Sequence, residues 1–271
     1  MPIARILLHF RLGREIQLNP EHDSRTGDPG RFRTTRWSRI LTAAESNLPG
    51  SETALADLCQ AYWYPLYAFA RRRGYEAHDA QDLTQGFFLH LLSRRALKHA
   101  HPLKGKFRSF LLASFQNFLA DEADRARTLK RGGNREFVFL DAEEAEGRYQ
   151  LESTDCLTAE KIFIARWAIT LLTRAVERLH EDCTARGEAS RFETLKPFVG
   201  VDGSNLPPSY GEVAKSLGVS VGAAKTIVHR FRKHYSVILR QEIGRTVTDP
   251  ADIEDEVHVL CEALIAAEGR V

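Results

Sequence analysis

At 271 residues the chain is long enough to bury a sizeable core, as one large domain or two small ones. Its 27% charged residues, 18 glycines and 10 prolines are those of an ordinary soluble protein, and a net charge of +2 does not by itself point to nucleic acid. Cys59, Cys156, Cys183 and Cys261 lie far apart, form no Cys-x-x-Cys and have no His at a ligand spacing, which argues against a zinc site or a disulfide framework and for reduced thiols. No apolar run approaches the roughly 18 residues that span a bilayer. The nearest, from Ile6 to Phe10, is too short for a signal-peptide core and runs into Arg11 and Arg14, so a cytoplasmic protein is expected.

Residues 1–34 mix short apolar pieces with the turn-rich NPEHDSRTGDPG and read as a mobile tail or an over-extended translation start. A first helical domain is expected over 35–133. Trp37, Ile40 and Leu41 open a helical pattern, and Ser51 can cap a second helix carrying Leu55, Leu58 and Tyr62. YWYPLYAFARRRG predicts another helix, with Pro65 in its first turn and Gly74 at its end. Trp63, Leu66, Tyr67 and Ala70 share a face there, better suited to a core than to stacking bases. In HDAQDLTQGFFLHLLSRR, Leu83, Phe87 and Leu91 point inward, while Asp79, Asp82 and Gln85 lie on a more polar side that can meet a basic partner or solvent.

Charge is unevenly spread. Between Asp82 and Asp121 there is no carboxylate, yet Arg94, Arg95, Lys98, Lys104, Lys106 and Arg108 all fall there. The helix FRSFLLASFQNFLADEADRAR packs Phe107, Phe110, Leu111 and Phe118, and Arg108, Asn117, Asp121 and Arg125 point elsewhere. Aromatics interleaved with cations can hold single-stranded nucleic acid by stacking and phosphate neutralisation. Gly132 and Gly133 close this unit. Residues 134–157 carry Asp141, Glu143, Glu144, Glu146, Glu152 and Asp155, and read as a solvated acidic linker.

A second helical domain is expected over 158–244. Ile162, Trp167, Leu171, Leu172 and Leu179 pattern one helix, and Phe192, Leu195 and Phe198 another. Pro207 and Pro208 introduce a helix-turn-helix. Tyr210, Val213, Ala214 and Leu217 mark the buried face of its first helix, Gly218 ends that helix left-handed, and Ser220 caps the next. Val221, Ala224, Val228 and Phe231 form the inward stripe of the second helix. Lys225, Thr226, His229, Arg230, Arg232 and Lys233 face outward, as a groove lined with phosphates and base edges demands. Such helix pairs also occur in proteins that bind no DNA, with the cations merely solvated. Residues 245–271 form an acidic extension: a cap-like Asp249-Pro250 precedes a short helix of Ile253, Val257, Leu260 and Leu264, which can fold back or bind a partner.

The expected fold is therefore all-α: two small helical domains joined by an acidic linker, the second ending in a helix-turn-helix. The chain resembles bacterial RNA polymerase sigma factors of the extracytoplasmic-function class over roughly residues 35–243. Asp79, Ala80, Asp82, Leu83 and Gln85 match the family's core-binding pattern, and Phe107, Arg108, Leu111, Asn117, Asp121 and Arg125 its minus-10 and melting segment. SYGEVAKSLGVSVGAAKTIVHRFRK is similar to its minus-35 reader. Gln81 and Gly86 stand where members commonly have acids, and Ile227 where many have Arg.

The resemblance implies a factor that binds core RNA polymerase through Asp79, Asp82, Leu83, Gln85 and Phe88. Lys106, Arg108, Asn117, Asp121 and Arg125 would hold the minus-10 single strand of promoter DNA. Ser220, Lys225, Thr226, His229, Arg230 and Lys233 would hold the minus-35 duplex. No cofactor, metal or membrane enters this scheme; an anti-sigma factor or a regulatory kinase is a further expected partner. Thr84 is the kinase candidate, since phosphorylation would add about −1.5 to −2 charge between the two missing acids. The competing reading is a free-standing transcriptional regulator. An enzyme finds little support, with no Gly-rich phosphate loop, no Gly-x-Ser-x-Gly, no His-Glu-x-x-His and only His78, His90, His99 and His101 as a loose metal candidate.

Overall fold

The computed structural model describes residues 51–92, 106–128, 145–147, 149, 157–199, 207–247 and 249–268. Every regular element among them is a helix, so the chain is all-α. The expected tail over 1–34, the helix around Trp37, the cations Arg94, Arg95, Lys98 and Lys104, and most of the acidic stretch lie outside these residues. In chain order the helices are α1 (Ser51–Arg72), α2 (Ala77–Leu92), α3 (Phe107–Thr128), α4 (Ala159–Ala185), α5 (Ala189–Leu195), α6 (Tyr210–Leu217), α7 (Val221–Gly244) and α8 (Ile253–Glu268). Contacts divide the chain into two units, with the division inside α4 at Trp167, well past the acidic stretch.

In the first unit α1 is one continuous helix, where the sequence suggests two, and Pro65 lies in its interior. An interior proline costs about 3 kcal/mol through its lost N–H and the clash with the preceding turn. The residues on either side outweigh it: Tyr62, Trp63, Leu66, Tyr67 and Phe69 are all buried, and burying one large side chain contributes about 1.5–3 kcal/mol. Tyr62 stacks on Trp167 of α4 at 4.0 Å between ring centres, and Phe107 meets Tyr62 edge-on at 5.5 Å. Gly74 ends α1 with φ of 94°, and Tyr75 N–H reaches back to Ala70 O at 3.3 Å, the glycine-dependent stop that the sequence predicts.

Helices α2 and α3 pack through Phe87, Phe115 and Phe118, with Phe87 5.0 Å from Phe115 and 5.7 Å from Phe118. Gly86 sits at their crossing, where an added Cβ would lie 3.3 Å from Phe118 Cζ. An acidic side chain at this position would collide with α3. The expected aromatic face of α1 is core, as read from its spacing.

The carboxylate stretch is more than a solvated linker where it is described. Ala145 is buried, and Glu146 accepts two bonds from Arg71 of α1, Nη2 to Oε1 at 2.8 Å and Nε to Oε2 at 3.0 Å. It also accepts a short hydrogen bond from the Tyr67 hydroxyl. Arg71 donates further to Tyr75 O at 2.7 Å and lies 5.2 Å from the Tyr149 ring centre. Burial disfavours the Arg71 charge, but the Glu146 carboxylate outweighs that and raises its pKa. Burial, followed by the bond to Glu146, raises that of Tyr67 well above the ordinary phenol.

The second unit is built on the C-terminal part of α4, from Ala168. Tyr235 of α7 is buried and donates its hydroxyl to Leu172 O at 3.4 Å, and Arg178 pairs with the buried Glu242 at 2.7 Å. The acidic helix α8 folds back on this unit: Val257, Leu260 and Leu264 meet Leu171, Leu239 and Ile243 around a small apolar cavity. Its carboxylates Glu254, Asp255 and Glu262 remain exposed.

Candidate nucleic-acid interface

The α6–α7 pair is built by local hydrogen bonds that can be followed residue by residue. Ser209, in extended conformation, accepts from Glu212 N–H at 3.3 Å, while Glu212 accepts from Ser209 N–H at 2.7 Å. This reciprocal box satisfies two of the helix's orphan donors. The bond from the Ser209 backbone N–H, then that from its side chain, lowers the Glu212 pKa. Gly218 closes α6 at φ 65° and ψ 32°, a left-handed turn that costs a non-glycine residue about 1–2 kcal/mol. Val219 N–H returns to Ala214 O at 2.9 Å. Two residues on, Ser220 caps α7 as its sequence predicts, its Oγ accepting from Ala223 N–H at 3.2 Å.

Val213 and Ala214 of α6 and Ala224, Val228 and Phe231 of α7 are buried, and Phe231 meets Phe192 of α5 edge-on. Two expectations fail at the ends of these stripes. Tyr210 and Val221 are exposed, because each is the first residue of its helix and projects past the packed turn. Tyr210 instead stacks on Phe198 at 6.0 Å and lies 5.8 Å from Lys225 Nζ. Arg232 also departs from its expected outward place. It turns in, bonding Phe198 O at 3.3 Å with its guanidinium 5.4 Å from that ring. Ile227 is half-buried beside the stripe.

Ser220, Lys225, Thr226, His229, Arg230 and Lys233 are all exposed. None of the four basic residues among them is paired with a carboxylate among the described residues. Thr226 donates its hydroxyl to Gly222 O at 3.2 Å, leaving its oxygen lone pairs outward. The result is one helix side, about two turns long, that presents ammonium, guanidinium and imidazole groups without counter-charge. Such a surface favours polyanions.

The first unit brings together only part of its predicted sites. Asp79 and Asp82 of α2 are exposed, with Asp82 3.6 Å from His78 Nε2; Leu83 and Gln85 are half-buried. Gln85 Nε2 is enclosed, with no hydrogen-bond partner among the described residues. Phe88 is only 5% exposed and belongs to the core, which withdraws it from the docking face. Thr84 is fully buried and donates to Ala80 O at 2.7 Å, so in the folded chain a kinase cannot reach it, and the phosphorylation expectation is corrected.

On α3, Asn117, Asp121 and Arg125 form one exposed ridge, with Arg125 held by Glu122. Arg108, at 7% exposure, is not on it. Nine residues at about 100° each turn it half a revolution from Asn117 and place it on the row of Leu111, Phe115 and Leu119. Lys106 is half-buried before the helix begins. Arg108 therefore shares no open face with the other three, whereas Lys106, eleven residues before Asn117, starts on their side of the helix.

Compared with family models, curated proteins and solved structures, the chain matches none. No group of three or more His, Cys, Asp or Glu among the described residues is placed to hold a metal ion, and no described helix is long and apolar enough to cross a membrane. Two features escaped the sequence reading. The Ser209–Glu212 box carries a readable Ser-x-x-Glu signal; the Arg71–Glu146 pair, from residues far apart in the chain, carries none.

Proposed function

We propose that the chain directs promoter recognition by bacterial core RNA polymerase, in the manner of the extracytoplasmic-function sigma factors it resembles, with α6–α7 as a helix-turn-helix that reads duplex DNA. One observation carries this reading. Lys225, His229, Arg230 and Lys233 stand exposed and without carboxylate partners on one side of α7, while the other side is buried. In a major groove these groups neutralise phosphates and donate to base edges, each bidentate base contact contributing about 1–3 kcal/mol of discrimination. Exposed Asp79 and Asp82 supply the acidic face for docking on a basic polymerase surface. Asn117, Asp121 and Arg125 supply the side chains for an opened strand. The function is binding and positioning, in the cytoplasm, without covalent chemistry.

Reconstituted transcription tests it. The full chain and bacterial core polymerase, on the DNA upstream of the chain's own gene, should initiate at a defined start. Asp82→Arg should abolish initiation while still folding. Exchanging Lys225, Arg230 and Lys233 together for Ala should weaken promoter binding and reduce its salt slope by about one for each phosphate no longer neutralised. Unchanged initiation by both variants would refute the proposal.

A second reading, a free-standing regulator that binds duplex DNA without polymerase, is favoured by Phe88 and Arg108 lying in the core and not on polymerase or single-strand faces. Nanomolar duplex binding by the chain alone, with no effect of core polymerase, would select it.

A further inference from the structure

Val221, Lys225, His229, Lys233 and Val237 follow one another at four-residue spacing, and all are exposed, so they form one outward ridge of α7. The first member is the anomaly. Val221 is 48% exposed at the first position of the helix, where a β-branched apolar side chain is a poor helix former and an acid would suit the helix dipole. The first turn of α7 contains no acid. Gly222, beside it, weakens the turn further without a packing reason, since a Cβ there would meet nothing closer than Ser220 Oγ at 4.0 Å. Helix stability accounts for neither residue.

Both fit one occupant. Recognition helices present their N-terminal residues to base edges in the major groove, and the one apolar group displayed there is the C5-methyl of thymine. A glycine next to the contact lets the backbone approach the bases closely. Behind Val221 on the same ridge come Lys225, His229 and Lys233, the two lysines complementary in charge to the phosphates that flank such a base and the imidazole a hydrogen-bonding group beside them.

Resting on the duplex-DNA reading above, we infer that Val221 determines specificity, seating against a thymine methyl while Gly222 lets the helix end sink to the base edges. The neighbouring cations fix the position and carry no preference for that methyl.

Selection from a random duplex pool, by the full chain with and without bacterial core polymerase, supplies the probe. Each thymine of the enriched sequence is then replaced singly by deoxyuridine, which lacks only the methyl. One replacement should weaken binding about fourfold, the factor for one buried methyl-sized group. The same replacement should be silent in Val221→Ala, which is a better helix former at this open position, and the loss should return in Val221→Ile. Enrichment with every deoxyuridine replacement silent, as expected if the ridge serves a protein partner, would overturn the inference and leave duplex reading intact. So would a loss that persists in Val221→Ala. A pool that shows no enrichment under either condition would overturn duplex reading and the inference with it.

Discussion

Replacing Glu146 by Gln removes a carboxylate that accepts two bonds from Arg71 and one from Tyr67 while keeping the shape of the side chain. Both side chains of the ion pair retain 18% of their exposure. The pair therefore falls between open surface bridges, at about 0–1 kcal/mol, and fully enclosed ones, where loss of one partner costs about 3–5 kcal/mol. Arg71 keeps its bond to Tyr75 O, so the stranded guanidinium is partly satisfied. A destabilisation of about 2 kcal/mol follows, in line with charge-assisted hydrogen bonds. A double-mutant cycle with Arg71→Met, read by urea unfolding and by hydrogen exchange of the α1 amides, should return a coupling of about 1.5–2 kcal/mol. A coupling below about 0.5 kcal/mol would show that the carboxylate stretch does not hold α1 and that the reasoning about this cluster is wrong.

Tyr67 and Tyr235 have raised pKa values through burial. They contribute stability that is complete below the ordinary phenol pKa of about 10 and is lost as pH rises towards the folded value. Spectrophotometric titration should leave Tyr67 and Tyr235 silent until the chain unfolds in alkali, and Tyr67→Phe should lower the number of silent tyrosines by one. Gly86→Ala should be close to neutral in thermal melting, the gain in helix propensity of about 1 kcal/mol offsetting the displacement of Phe118, whereas Gly86→Glu should cost about 1–3 kcal/mol by overpacking. Thr84→Glu places a carboxylate in a site of 0% exposure and should cost at least about 3 kcal/mol in urea unfolding, while Thr84→Ser should cost less than about 1.5 kcal/mol.

What could be read from residues was what short-range geometry controls. The stop at Gly74, the left-handed Gly218, the Ser220 cap and the Ala224–Val228–Phe231 stripe depend on residues a turn apart, and spacing alone revealed them. Periodicity also placed Phe87 and Leu91 inward and the basic side of α7 outward. It failed where a distant partner decides. Pro65 reads as a helix start until the aromatics on both sides find a common core. Arg108 and Arg232 read as open cations, yet one lies on a buried row and the other finds a ring and a carbonyl on the 3₁₀ turn Lys196–Phe198. Thr84 shows the same limit in a small residue. A hydroxyl flanked by Gln81 and Gly86, where acids are expected, looks accessible, but it bonds back to its own helix and faces inward.

Helix α7 carries its outward cations in its first half and is gripped through Tyr235, Glu242 and Ile243 in its second, with no break over its 24 residues. Those two halves are phase-locked. A single residue inserted between Lys233 and Tyr235 would rotate the cations by about 100° against their anchor, and three or four would nearly restore them while moving them along the axis by about 1.5 Å per residue. The direction in which this surface faces is thus set by a count of residues, and substitutions that respect the count can change its chemistry while leaving its aim untouched.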